Sequence, residues 1–160
     1  MVKKEARILG IDDSPFDKFR DRKVLVIGTF FRGGSSLDGV MSTTAAVDGA
    51  DATAKIIRMV KKSKFYTQLR AIMLNGIAVG GFNVIDIQKL SAATKIPVIV
   101  VMRNYPEVGK IKSTLTRLGM KSKVKLIGKA GEIRKAGMVY IQLNGCSLEK
   151  ARELLKISCT

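Results

Sequence analysis

Arg7-Ile8-Leu9-Gly10-Ile11-Asp12-Asp13 is an apolar, strand-like run that stops at two adjacent carboxylates and then turns at Ser14-Pro15. An isolated carboxylate inside a low-dielectric core costs more than folding supplies, so charge is tolerated only at the solvent-facing end of a buried strand. The pair therefore marks a rim. The chain carries a formal charge of +16 and no histidine. An acidic rim on so basic a protein points to a polyanion held against a divalent cation.

The strands and helices follow outward from that run. Residues 23–31 form a second β-rich segment, close enough in sequence to pair antiparallel with the first. Residues 37–47 extend the meander after the loop Arg32-Gly33-Gly34-Ser35-Ser36. From Ala52 the apolar positions Ile56, Ile57, Met59 and Val60 take up a helical period, with Asp51 placed as N-cap. Residues 70–74 are nearly continuously apolar, as befits a central strand covered on both faces.

A glycine-rich turn over 76–83 precedes a helix predicted over 84–94, which leads to a fifth strand over 96–102. That strand-helix-strand unit is parallel and right-handed. A helix over 108–118, extended segments over 121–127 and 137–142, and a last helix capped by Ser147 and running through Ile157 complete the reading. The fold class is α/β: a mixed sheet of order 3-2-1-4-5 flanked by helices. In that order Asp12 and Asn75 become neighbours at strand ends.

Composition narrows the function. With 160 residues, 46% of them hydrophobic, the chain suits a single domain over 1–160. No apolar run approaches the roughly 20 residues that span a bilayer, and the first residues lack a signal-peptide core, so a soluble, cytoplasmic protein without membrane contact is expected. Cys146 and Cys159 have no close metal-ligand spacing. Without histidine, a Ser-His-Asp triad, a Cys-His dyad and a HExxH zinc site are all excluded. Carboxylates and lysines must carry any catalysis.

Three separated motifs give a resemblance. Leu9-Gly10-Ile11-Asp12-Asp13, Val47-Asp48-Gly49-Ala50-Asp51-Ala52-Thr53 and Gly80-Gly81-Phe82-Asn83-Val84-Ile85-Asp86-Ile87 together resemble archaeal family of unknown function 99, the endonuclease dU family. That family is similar to endonuclease V within the ribonuclease H-like superfold. The resemblance implies Mg²⁺- or Mn²⁺-dependent hydrolysis of a phosphodiester beside an altered base in DNA or RNA, a DNA-repair activity. Gly10-Ile11-Asp12 matches the Gly-aliphatic-Asp context of the first metal ligand. Asn75-Gly76 stands where endonuclease V has a second metal-binding Asp, and an amide brings an oxygen without its charge, which lowers affinity for a hard cation. The acidic residue after the third strand is Glu in endonuclease V; here Asp48 or Asp51 would substitute with a shorter arm. Many members also continue into a Pro-Glu-Pro-Leu-Arg-like tail that is not among these residues and would carry part of the site.

Each candidate has a structural alternative. Asp13 is a second ligand or opens an Asx turn. Asp51 is a ligand or a helix cap, and Asp48 a ligand or a turn residue before Gly49. Asp86 compensates a helix dipole, with a ligand role as the alternative. Gly80-Gly81 reads as a phosphate-approaching loop at a helix start, but without the lysine and spacing of a Walker loop, so no nucleotide triphosphate is expected. Of Phe30 and Phe31, strand alternation sends one inward; the free ring, with Arg32, could wedge into a duplex or stack on an extruded base. Lys61, Lys62, Lys64, Lys121, Lys123, Lys125 and Lys129 are candidate phosphate contacts, although spacing two over 121–125 also suits the guarded edge of a sheet. Three functions stand: an endonuclease using Asp12 and Asp48, a nucleic-acid-binding domain that has lost hydrolysis, and a structural or interaction module.

Overall fold

In this computed structural model, which describes residues 1–159, a seven-stranded sheet runs β3-β2-β1-β4-β7-β9-β8. Its strands are β1 (Arg7–Asp13), β2 (Lys23–Arg32), β3 (Ser36–Ala46), β4 (Leu69–Asn75), β7 (Val98–Met102), β8 (Arg134–Ala136) and β9 (Val139–Asn144). A separate small hairpin joins β5 (Ala78–Val79) to β6 (Asn83–Val84). The helices are α1 (Ala52–Lys62), α2 (Ile87–Thr94), α3 (Val108–Arg117), α4 (Lys121–Lys129) and α5 (Leu148–Ser158).

Side-chain alternation assigns the two faces of the sheet. Leu9 and Ile11 of β1, Val24, Val26 and Phe30 of β2, and Ile72 and Leu74 of β4 point to one side, where Ile56, Met59 and Val60 of α1 and Leu90 of α2 cover them. Ile8, Ala71, Ile99 and Ile141 point to the other and are covered by Ala151, Leu154 and Leu155 of α5. The first five strands take the 3-2-1-4-5 order read from the sequence: β1 is antiparallel to β2 and parallel to β4, and β4 is parallel to β7. The sheet then continues through antiparallel β9 and β8. Ser147 caps α5, its side chain accepting from the Lys150 N–H.

Three expectations are corrected. Residues 121–127 are not extended but belong to α4: Lys123 and Ile127 are buried and four apart, a helical spacing. The spacing of two at Lys121, Lys123 and Lys125 imitates a strand, but on the helix it puts Lys123 inward and the other two outward. The helix expected from residue 84 starts at Ile87, because Asn83 and Val84 pair with Val79 and Ala78. Asp86 is accordingly its N-cap and accepts from the Lys89 N–H. Gly137, expected within a strand, has φ +64° and turns the β8–β9 hairpin.

Candidate active-site cleft at the strand ends

Asp12 and Asn75 each lie one residue beyond the last β1–β4 register pair, Ile11 with Leu74. Asn75 Nδ2 donates to Asp12 Oδ2 at 2.9 Å, and Asp12 Oδ1 accepts from the Asp13 N–H at 2.8 Å. Both side chains are exposed. They open on a cleft of about 600 Å³ floored by Gly10, Ile27, Thr29, Met73 and Val101, the last two packing also against the cluster under α5. Gly10 keeps this floor low: a Cβ there would stand 3.3 Å from Thr29 Oγ1.

Asp13 does not open an Asx turn. Its Oδ2 accepts from the Gly80 N–H at 2.7 Å. The β5–β6 turn is held from its other side by Asp48, whose Oδ1 accepts from the Phe82 N–H at 2.8 Å and whose N–H donates to the Gly80 carbonyl at 2.8 Å. Gly80 (φ +56°) and Gly81 (φ +80°) need glycine, and a Cβ on Gly81 would collide with Asp48 Oδ1. These glycines therefore turn a hairpin, not a helix start, and donors at Gly80 and Phe82 already serve the chain's own carboxylates. Lys18 Nζ sits 5.1 Å over the Phe82 ring on the same turn.

Asp48 and Asp51 do not line the cleft beside Asp12. Asp48 is fixed in a left-handed conformation (φ 53°), with its carbonyl accepting from Lys123 Nζ at 2.6 Å. Burial lowers the pKa of Lys123, and the charge of Asp48 opposes that shift. Asp51 holds the N-cap position of α1 without capping it. Its Oδ1 instead accepts from the Ala46 N–H and from Asn83 Nδ2, while Asn83 Oδ1 takes the Ala52 N–H. Burial opposes ionisation of Asp51, but donors from Ala46 and Asn83 outweigh it and leave the pKa lowered. Among the described residues, no three His, Cys, Asp or Glu side chains gather as a metal cage.

The expected nucleic-acid contacts divide between the two ends of the sheet. Gly80 and Gly81 flank the cleft through Asp13. Phe31 and Arg32 pair in register with Ile8 and Arg7, four and five residues of strand from Asp12, about 13 to 16 Å away. Antiparallel pairing places the β2–β3 tip there, so a Phe31 wedge cannot serve this cleft. Lys61 and Lys62 close α1 at the same far end, just before Phe65, which packs against Arg7.

A model of the family described as Endonuclease dU matches residues 4–160. The chain belongs to the endonuclease dU family. Within it, a UPF0215 protein of Methanothermobacter thermautotrophicus is 47% identical over 99% of this chain and 80% of its own length. The crystal structure of a protein of unknown function from Archaeoglobus fulgidus superposes with a TM-score of 0.90 at 44% identity, covering 96% of this chain and 87% of that one. Endonuclease V of Ciona intestinalis, solved with a 23mer DNA containing an inosine followed by a ribo-adenosine, gives a TM-score of 0.60 at 13% identity over 97% of this chain and 77% of that one. At that identity the shared property is the ribonuclease H-like fold. No described helix of this endonuclease dU member is long and apolar enough to cross a membrane.

Sequence reasoning gave no structural role to two residues that build the site's surroundings in this family member: Asn83, quoted only within a motif, and Lys123, expected to contact phosphate but buried against the Asp48 carbonyl. Asn83 is fully buried and ties β6 to β3 and α1; its signal was a lone amide between Phe82 and Val84. Lys123 is 7% exposed, and its signal was a lysine four before Ile127 on a helical face.

Proposed function

We propose that this protein is a divalent-metal-dependent endonuclease that hydrolyses phosphodiesters near altered bases in nucleic acid. The observation that carries this reading is Asp12 at the end of a central strand, touching Asn75 across the parallel neighbour, above an open cleft in a fold shared with endonuclease V.

The donor set fits one kind of ion. Mg²⁺ keeps several waters and binds through one or two carboxylates, whereas an all-protein cage needs more anionic oxygens than stand here. Asp12, with Asn75 and Asp13 beside it, would hold such a water-rich Mg²⁺ or Mn²⁺. When bound, the ion would supply Lewis-acid polarisation of a phosphate oxygen and activation of water. Asp12 would anchor it, Asn75 would orient the Asp12 carboxylate, and Asp13 would keep the Gly80–Phe82 turn against the cleft rim. Lys18 of the β1–β2 connection, seated over the Phe82 ring of that turn, would meet the phosphate backbone.

The second reading, a nucleic-acid-binding domain without hydrolysis, is favoured by Asn75 and by the diversion of Asp48 and Asp51 to structural hydrogen bonds. Incision of duplexes containing deoxyuridine or deoxyinosine, with Mg²⁺ or Mn²⁺, decides between them. The endonuclease reading expects nicking that Asp12→Ala abolishes at unchanged melting temperature. Binding without nicking in either metal selects the second.

A further inference from the structure

Arg7 anchors a basic surface at the end of the sheet opposite the cleft. Its guanidinium lies 4.3 Å from the centre of the Phe65 ring, donates twice to Asp38 Oδ2 at 2.6 and 2.9 Å, and donates to Gln68 Oε1. Arg32 approaches the same carboxylate, 3.3 Å from Asp38 Oδ1. A single carboxylate thus serves two guanidiniums, and the surplus positive charge is fixed on paired strands instead of swinging on free side chains. The hydrogen bond from Arg7 is the main cause of the lowered pKa of Asp38, so the arrangement is ionised at neutral pH.

Around this anchor an open cleft of about 540 Å³ is also lined by Lys3, Arg70 and Lys150, with Glu5 the one acid of its lining. Lys3, Arg70 and Lys150 are exposed and form no ion pair among the described residues. Lys61 and Lys62 at the end of α1 and Lys64 just after it continue the charge, with Lys64 Nζ 5.1 Å from the centre of the Phe65 ring. Like charges held this close repel, and a polyanion relieves the repulsion while releasing its own counterions.

We propose that this surface binds the phosphodiester backbone of a nucleic-acid segment distinct from the one entering the Asp12 cleft. The inference rests on the nucleic-acid part of the proposed function and does not need the cleft to hydrolyse anything. The cations come from β1, β2, β4 and the ends of α1 and α5, spread along a groove instead of converging on one point. That spread matches a rod of regularly spaced phosphates better than a single small anion, and its concavity fits a strand better than a flat layer of lipid headgroups. The unpaired guanidinium of Arg70 and the donors that Arg32 keeps free suit phosphate oxygens, while Arg7, engaged with Asp38, Gln68 and Phe65, holds the frame.

The test is fluorescence anisotropy of the full chain on an unmodified duplex of about 30 base pairs across a salt series. Arg70→Glu/Lys150→Glu should weaken binding at least about tenfold and lower the salt slope by about 1.8, the value for two lost phosphate contacts. The same two-charge reversal at exposed Lys110 and Arg117, both on α3 and absent from the lining of this groove, should weaken it less than about threefold. Arg70→Gln/Lys150→Gln, a milder change at the same exposed positions, should give an intermediate loss and covers the case of misfolding, which circular dichroism would reveal. The incision assay reports on the Asp12 cleft separately, so absent nicking with this salt-dependent binding retained would overturn hydrolysis and leave the present proposal standing. Equal losses from both reversals, no loss from the Arg70/Lys150 pair, or lost binding to phosphatidylserine vesicles with duplex affinity intact would each overturn the proposal.

Discussion

Asn75 gives its side-chain amide to Asp12 Oδ2 at 2.9 Å, across two parallel strands whose register brings residues 63 apart in sequence into contact. The amide neutralises nothing, yet it fixes the carboxylate at the mouth of the cleft. Replacing it with a second carboxylate would set two negative charges against each other and supply a charged oxygen to any cation between them. Asn75→Asp should therefore bind Mn²⁺ about tenfold more tightly, worth ~1.4 kcal/mol, and melt at a lower temperature when metal is withheld. Titration calorimetry on the wild type, Asn75→Asp and Asp12→Ala checks this. Equal affinities across the three would remove the ion from this cleft.

The Gly80–Phe82 turn is latched by carboxylates from the end of β1 and from the β3–α1 loop, and Gly81 gives a clean way to strain it. Both Gly81 (φ +80°) and Gly131 (φ +87°) have positive φ, but a Cβ at Gly131 meets nothing within 4 Å whereas one at Gly81 strikes Asp48 Oδ1. Gly131→Ala should cost only the backbone strain, about 1 kcal/mol. Gly81→Ala should cost about 2 to 3 kcal/mol, because the Asp48–Phe82 hydrogen bond is lost as well. Chemical denaturation of the two variants separates strain from collision; equal costs would show that Asp48 yields freely.

The order of the first five long strands was legible because each carries its own signal: alternating or continuous apolar runs, short antiparallel connections and one right-handed crossover. The Asp12–Asn75 contact followed from that order alone. Other features depended on partners distant in the chain. Asp48 and Asp51 looked available because the groups that use their oxygens carry no sequence signal: Ala46 across the β3–α1 turn, and Phe82 and Asn83 more than thirty residues on. Phe31 and Arg32 looked like a wedge beside the site because the motif has no inherent position, and only the β1–β2 register sends them to the far end. Lys121, Lys123 and Lys125 match a strand period, and only the long-range burial of Lys123 against Asp48, with Ile127 four residues on, shows the segment to be a helix.

Alternation does separate the two phenylalanines, Phe30 being 1% exposed and packed 5.3 Å from the Phe65 ring, centre to centre, while Phe31 is half-buried on the opposite face. Phe30→Ala should cost about 3 to 5 kcal/mol and Phe31→Ala clearly less. Neither should change the preference between uracil-containing and normal duplexes, since both side chains sit at the end of the sheet remote from Asp12. Thermal melting with anisotropy on both duplexes tests the pair. A preference that vanishes in Phe31→Ala alone would restore the wedge.

Lys123 makes a pH-dependent contribution that reads out the α4 contact. Its ammonium is buried against the Asp48 carbonyl, and burial holds its pKa below the ordinary 10.5 despite the opposing charge of Asp48. Between the depressed folded value and 10.5 the unfolded chain binds more protons than the folded one, so the lysine's contribution to stability rises with pH across that window. Below the folded value both states are protonated and the contribution is flat, at its least favourable. Lys123→Met removes the titrating group; at neutral pH it relieves a buried charge and orphans the Asp48 carbonyl, effects that oppose each other. The discriminating quantity is the difference in melting temperature between wild type and variant, measured from pH 7 to pH 10.5. Wild type should gain on Lys123→Met as the pH rises. Parallel curves would mean that the ammonium reaches water and that α4 is not pinned to the Asp48 turn by a buried charge.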